Sequence, residues 1–223
     1  MDRLYNKINK MEKVKNYDEV VAIAGKHLGK VGGDGYSDQY NRELLVKIPR
    51  YLNREGYDLT SDSFVGVDTW NCYEVSAITT KGQPVAGLLK ITCPSDSEFH
   101  VESKSIKLYL NSFNMTRIAD NAMDCITGIE ATVKRDLDEL LETSTIVTFF
   151  ASEEEGEELS FEGYEDLGGL VDLDQIDFTS FQSDATQLAV EDTSDVAKEV
   201  KLKSNLLRSN CRVTNQPDWG DVF

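Results

Sequence analysis

The sequence predicts an α+β fold with elements in the order strand, strand, helix, helix, strand, strand, followed by the start of a second such unit. Three observations carry this. Residues 64–79 (FVGVDTWNCYEVSAIT) and 85–93 (VAGLLKITC) are rich in β-branched and aromatic residues and flank a KGQP turn at 81–84. Ile118, Ala122, Ile126, Ile129, Val133, Leu137 and Leu140 then recur at helical spacing over 118–141. STIVTFFA at 144–151 returns to a strand pattern.

Residues 1–60 read as an N-terminal extension. Within it, Tyr17 to Leu28 places Val20, Val21, Ala24 and Leu28 on one side of a short helix. The next stretch, GKVGGDGYSDQY, spaces Gly29, Gly32, Gly33 and Gly35 as neither GxGxxG nor a Walker-type loop, so it reads as a flexible connection. Pro49 and NREGYD mark more surface loop.

A first domain is expected over 61–173. Alternation in its first strand sets Val65, Val67, Thr69, Asn71, Tyr73, Val75 and Ala77 against Trp70, Cys72, Glu74 and Ser76. The returning strand makes an antiparallel hairpin, and Ser95 to Glu98 is a turn. Ile106, Leu110 and Phe113 then mark a helix within 102–113, and Cys125, beside the stripe of the next helix, reads as a core thiol. EEEGEE at 153–158 reads as a solvated loop, and 159–173 as a fourth strand or an irregular edge.

Residues 174–195, acidic and rich in Ser and Thr, suit a crossing segment. From 196, VAKEVKLKSNLLRSNCRVT and QPDWGDVF supply a strand pair. It reads as the beginning of a second domain, with too few residues after it to complete a unit like the first.

Charge narrows the function classes. The chain of 223 residues has 23 Lys and Arg against 40 Asp and Glu, a net charge of -17. Residues 151–200 hold 16 acidic side chains and one basic, Lys198, so the rest is nearly balanced. Such acidity argues against direct nucleic-acid binding, which needs basic surface to displace counterions. A small anion held by a local basic patch is still compatible with it. The start MDRLYNKINKMEKVKNY has no signal-peptide pattern, and no window approaches 18 apolar residues, so no membrane association is expected. Cysteines 72, 93, 125 and 211 form no CxxC pair, and the reading is a reduced, cytoplasmic protein.

The chemistry available is that of thiols and carboxylates. His27 and His100 are the only histidines, too few for a three-imidazole zinc centre, and no metal site is expected. Cys211 sits among Arg208, Ser209, Asn210 and Arg212, where a thiolate is stabilised. A structural cysteine at a strand end is the plainer reading. Asp218, past the Gln216-Pro217 turn, could return a carboxyl group toward the sulfur, and a thiol nucleophile with a proton donor can perform covalent addition. Glu102 stands at a strand-to-helix junction followed by Lys104 and Lys107. There it either caps the helix or grips adjacent N–H donors of a flat heterocycle. His100 reads as solvent-exposed, or as a neighbour supporting Glu102.

VESKSIKLYLNSFNMTR at 101–117 resembles the signature of the NADPH-dependent nitrile reductases that convert 7-cyano-7-deazaguanine (preQ0) to 7-aminomethyl-7-deazaguanine (preQ1). SNCRVTNQPDWG at 209–220 is similar to the catalytic stretch of the same enzymes, and YNRELLVKIPRYLNREG and GVDTWNCYEVSAITTKGQP agree. The glutamate motif precedes the cysteine motif, as in the long bimodular type. The likeness extends from about Leu28 onward.

The resemblance implies a tunnelling fold (T-fold), an antiparallel sheet with two helices on one face in ββααββ order. It also implies roles for residues. Cys211 would attack the nitrile carbon to give a thioimide, Asp218 would pass protons to the nitrogen, and two NADPH would supply the electrons. Glu102 would hold the deazaguanine ring. Ser103 and Lys104 would line that pocket, with Ser103, Lys104 and Lys107 near the cofactor. Family members continue past the DWG motif with a His-Glu pair and basic residues that have no equivalents here. A homo-oligomer or a separate C-terminal half is therefore expected to complete the site. The alternatives are a non-catalytic fragment binding a deazapurine or a partner chain, or a relative of the amidine-forming enzyme of archaeosine synthesis, to which the intact ESKSIKLY run is less similar.

Overall fold

The structure, a computed structural model, describes residues 22, 37–54, 57, 59–151, 162–179, 199–210 and 217–223. The chain divides into two compact units, Met1–Gly156 and Glu157–Phe223. Apart from Ala22, which is helical, the helix expected at 17–28 lies outside the described residues, as do His27, the four glycines, EEEGEE and Cys211.

The first unit is built on an antiparallel sheet of β2 (Val67–Ile78), β3 (Pro84–Pro94) and β5 (Ile146–Ala151), in the order β2-β3-β5. The β2–β3 turn closes with Thr79 donating to the Gln83 carbonyl at 2.9 Å, and Gly82 takes a φ of 87 that favours glycine. On β3, Val85, Leu89, Ile91 and Cys93 alternate into the core. Gly87 shares that face. A Cβ there would lie 2.1 Å from the Phe150 carbonyl oxygen and 2.7 Å from the Phe149 ring, so the β3–β5 contact requires glycine.

The expected faces of β2 need correction. Cys72 pairs with Leu89 and Val75 with Gly87, so two residues of β2, Tyr73 and Glu74, oppose the single Leu88 of β3. This bulge inverts the side-chain parity. Trp70 and Cys72 therefore pack toward the same core as Val75 and Ala77, while Asn71 and Tyr73 are exposed.

Two helices cover the core face, α2 (Ser103–Asn111) and α3 (Ala122–Leu141). On α2, Ile106, Tyr109 and Leu110 are buried, with Phe113 just beyond. On α3 the buried side runs Cys125, Ile129, Val133, Leu137 and Leu141, so Cys125 is a core thiol as expected, and Ile118, Ala122, Ile126 and Leu140 of the expected stripe pack against the core half-buried. Each such aliphatic side chain contributes about 1.5–3 kcal/mol by leaving water. Asn121 caps α3 by accepting from the Asp124 amide at 3.0 Å.

A two-stranded ribbon pairs β1 (Lys47–Pro49) with β4 (Phe99–Val101), and a single helical turn, α1 (Tyr51–Arg54), follows β1. The surface loop expected at Pro49 is thus a strand end. Leu45, Val46, Ile48 and Leu52 are buried. A three-residue strand carries no readable period, and proline is tolerated where no ladder N–H is needed.

The second unit contains β6 (Glu165–Asp166), β7 (Leu202–Asn210) and β8 (Pro217–Val222), with β6 parallel to β7 and β7 antiparallel to β8. The described part of 159–173 is the irregular alternative, not a fourth strand of the first sheet. Only Glu165–Asp166 is extended, and it pairs with β7. Short 3-10 turns follow at Leu167–Gly169 and Leu173–Gln175, where Asp166 and Asp172 accept from backbone amides two residues on. Such local bonds compete with a sheet ladder.

Candidate functional site

Glu102, at the β4–α2 junction, is a buried carboxylate held by the backbone around it. Its backbone is extended (φ -74, ψ 131) while its side chain turns back over the first turn of α2. Oε1 accepts from the Lys104 amide at 2.9 Å and Oε2 from the Ser105 amide at 2.6 Å. The helix N-terminus favours the negative charge there. Neighbouring chain fixes the cap: the Glu102 amide donates to the Val46 carbonyl at 2.9 Å, and Ser105 Oγ donates to the Glu102 carbonyl at 2.8 Å while accepting from the Val46 amide at 3.1 Å. Glu102 is 7% exposed. A carboxylate has about four acceptor positions, and these two bonds use one on each oxygen. The capping role is therefore realised, with acceptor capacity left over.

Ser103, Lys104 and Lys107 are exposed on α2. Lys107 Nζ is 3.8 Å from Glu74 Oε2, a loose surface pair. Because Glu102 occupies the Lys104 and Ser105 amides, a phosphate here would meet lysine side chains and not those helix-end N–H groups. Lys104 and Lys107 are thus point charges on the exposed side of α2.

His100 corrects an expectation of exposure. It lies half-buried on β4, with Nε2 3.5 Å from Asn53 Nδ2. Burial, and then the Arg50 guanidinium, hold its imidazole below the ordinary value. Arg50 is engaged with Asp68 at 2.5 Å and with Ser97 at 3.0 Å. Among the described residues, no three His, Cys, Asp or Glu side chains gather into a metal-ligand set.

Sequence reasoning missed Asp136. This fully buried carboxylate on α3 accepts from the Tyr40 phenol at 2.6 Å, the Tyr109 phenol at 2.7 Å and Arg135 Nη2 at 2.9 Å. Tyr109 belongs to α2, two turns beyond Glu102, so the network ties the Glu102 helix to α3. The available signal was an acidic residue next to Leu137 in an otherwise apolar stripe.

In the second unit, Asp218 is exposed on β8, directly opposite Ser209 of β7. Arg208 faces Trp219 in the next pair, its guanidinium 5.9 Å from the ring. Cys211 follows the last residue of β7 in sequence and lies outside the described residues.

Residues 36–149 match the family described as nitrile reductase, 7-cyano-7-deazaguanine-reductase N-term. That stretch contains Glu102 and both helices. Proteins named NADPH-dependent 7-cyano-7-deazaguanine reductase from two strains of Coxiella burnetii, CbuK_Q154 and Dugway 5J108-111, are each 38% identical over 190 residues. The alignment covers 84% of this chain and 64% of each relative, so the chain spans less than two thirds of their length. No helix among the described residues is long and apolar enough to cross a membrane. With its α+β fold and open antiparallel sheet, the chain belongs to the nitrile reductase, 7-cyano-7-deazaguanine reductase N-terminal family.

Proposed function

We propose that this chain is the 7-cyano-7-deazaguanine-binding part of a nitrile reductase that forms 7-aminomethyl-7-deazaguanine in 7-deazaguanine (queuosine-type) biosynthesis. The observation that carries the reading is the Glu102 cap. Its carboxylate is fixed by two backbone amides and keeps acceptor capacity, which suits the amino and ring N–H groups of a deazaguanine.

In this reading the Cys211 sulfur bonds to the nitrile carbon. The thiol proton passes by way of Asp218 to the nitrile nitrogen, so thiol and nitrile become a thioimide with no atom left over. NADPH, when bound, supplies hydride, and the change from nitrile to amine requires two equivalents. Lys104 and Lys107 would attract its phosphates, and Ser103 lies at the same helix start. A first tunnelling-fold domain would then run from 61 and end before the second unit begins at Glu157, with 174–195 a crossing segment and 196–223 the beginning of the catalytic domain.

A second reading rests on Glu102 alone, whose carboxylate is fixed entirely within the first unit: the chain binds the deazapurine without turning it over. Intact mass measured after mixing the full chain with 7-cyano-7-deazaguanine tests the first. The expected result is an adduct of one nitrile that disappears in Cys211→Ala, with NADPH oxidation dependent on the same residue. Binding without adduct supports the second reading.

A further inference from the structure

Resting on the reading of Glu102 as the deazaguanine-binding carboxylate, we infer that Ser105 is a positioning residue for it. Ser105 is the third residue of α2 and has no solvent exposure. It holds Glu102 at two points. Its amide donates to Glu102 Oε2 at 2.6 Å, and its hydroxyl donates to the Glu102 carbonyl at 2.8 Å. The same hydroxyl oxygen accepts from the Val46 amide at 3.1 Å, and the Val46 carbonyl accepts from the Glu102 amide at 2.9 Å. Ser105, Glu102 and Val46 thus close a ring of bonds that fastens the start of α2 to the chain entering β1.

The amide bond to Oε2 is backbone, and any residue but proline supplies it. The rest needs a side chain that donates and accepts at one atom, which a hydroxyl does. Without it, the buried Val46 amide loses this acceptor, and the chain around Val46 must shift to regain one. Glu102 shifts too, because its own amide is bonded to Val46. The Glu102 carbonyl also accepts from the Ile106 amide at 3.1 Å, so α2 keeps its first helical bond when the hydroxyl is lost. A helix cap tolerates such a shift, because the carboxylate moves with the amides it covers. A recognition group does not, since its remaining acceptor positions must meet the N–H donors of a flat ring at hydrogen-bond distance. The favoured N-cap residues have shorter side chains. Glutamate reaches the same amides only by folding a longer stem back, so the placement of its oxygens depends on where the Glu102 backbone stands.

The test is calorimetric affinity for 7-cyano-7-deazaguanine in the full chain carrying Cys211→Ala, beside urea unfolding of each variant. Ser105→Ala is expected to weaken binding about fivefold, the affinity equivalent of one hydrogen bond, under conditions where the variant is fully folded. In a Glu102→Gln background, Ser105→Ala should have no further effect on affinity, because it acts only through the carboxylate. If Ser105→Ala does not fold, Ser105→Cys, close in volume but a weaker donor and acceptor, carries the same comparison. Binding within twofold of the parent, while Glu102→Gln is weakened, overturns the Ser105 inference and leaves the reading of Glu102 standing. Equal weakening in both backgrounds also overturns it, as the mark of a general structural role. If the parent does not bind the nitrile, or Glu102→Gln binds it as tightly, the reading of Glu102 fails and takes this inference with it.

Discussion

The Tyr109 phenol donates to Asp136 Oδ2 at 2.7 Å across the contact between α2 and α3, inside a site with no solvent exposure. The carboxylate also receives Tyr40 and Arg135, so its burial is matched by donors on the extension preceding β1 and on α3 itself. Burial, and then the Asp136 hydrogen bond, push the Tyr109 phenol well above the ordinary tyrosine range. Asp136→Ala leaves the buried Tyr109 phenol, the half-buried Tyr40 phenol and the exposed Arg135 guanidinium without their acceptor, and should destabilise the first unit by about 3 kcal/mol. Tyr109→Phe removes one donor and should cost about 1 kcal/mol. Urea unfolding followed by circular dichroism checks both, and equal losses would show that the carboxylate is not the hub.

Gly87 makes a second, purely steric prediction. Its missing Cβ is what lets β5 approach β3, given the 2.1 Å that would separate such an atom from the Phe150 carbonyl oxygen. Backbone cannot yield as a flexible side chain can. Gly87→Ala should therefore destabilise by about 3 kcal/mol, at the upper end of overpacking effects. Gly168→Ala offers a comparison, because the atom nearest its Cβ, at 3.2 Å, is a side-chain oxygen of Asp166. A Gly87→Ala thermal midpoint equal to the parent's would contradict the geometry.

What the sequence made legible follows from physical periodicity. The buried side of α3 repeats over twenty residues, with Leu140 of the expected stripe packed half-buried beside it. The β2–β3 hairpin is bounded by Gly82 and Pro84, whose turn chemistry is local. The bulge between Cys72 and Val75 is not local. It depends on how β2 meets β3, and nothing in the NCYEV run marks it. The β1–β4 ribbon joins residues about fifty apart through three pairs, too few for any pattern. At the site, a glutamate beside a helical period announced a cap, but the Val46 bonds that fix it come from β1's neighbourhood and were invisible. Asp136 was hidden because an acidic residue on a helix reads as a solvated one until its donors are in place.

Cys72 gives a pH prediction. Packed toward the core on β2, its thiol is pushed by burial up to about 11. An unfolded thiol ionises near about 8.5. Between these values the unfolded chain has lost a proton that the folded chain keeps, so unfolding becomes easier as pH rises. The stabilisation is complete below the lower value and is lost as pH climbs through the upper one. Urea midpoints of the parent and of Cys72→Val, measured from pH 8 to 11, should converge or cross as pH rises, because only the parent carries this loss. Parallel curves would show that Cys72 ionises alike in both states.

Glu102 separates structure from recognition. As a cap it needs an oxygen over the Lys104 and Ser105 amides, and aspartate is as good a capping residue as any. As a recognition group it needs its remaining acceptor capacity at one particular depth, which a side chain shorter by one methylene withdraws. Glu102→Asp should therefore keep the thermal midpoint within a few degrees of the parent while weakening 7-cyano-7-deazaguanine binding at least about tenfold, the cost of misplacing a charge-assisted hydrogen bond. Glu102→Ala should lose both, with about 1 kcal/mol of stability gone with the cap. Calorimetric titration in a Cys211→Ala background isolates binding from covalent capture. If Glu102→Asp binds the nitrile as tightly as the parent, the carboxylate is a helix cap and nothing more, and the deazaguanine must be held elsewhere.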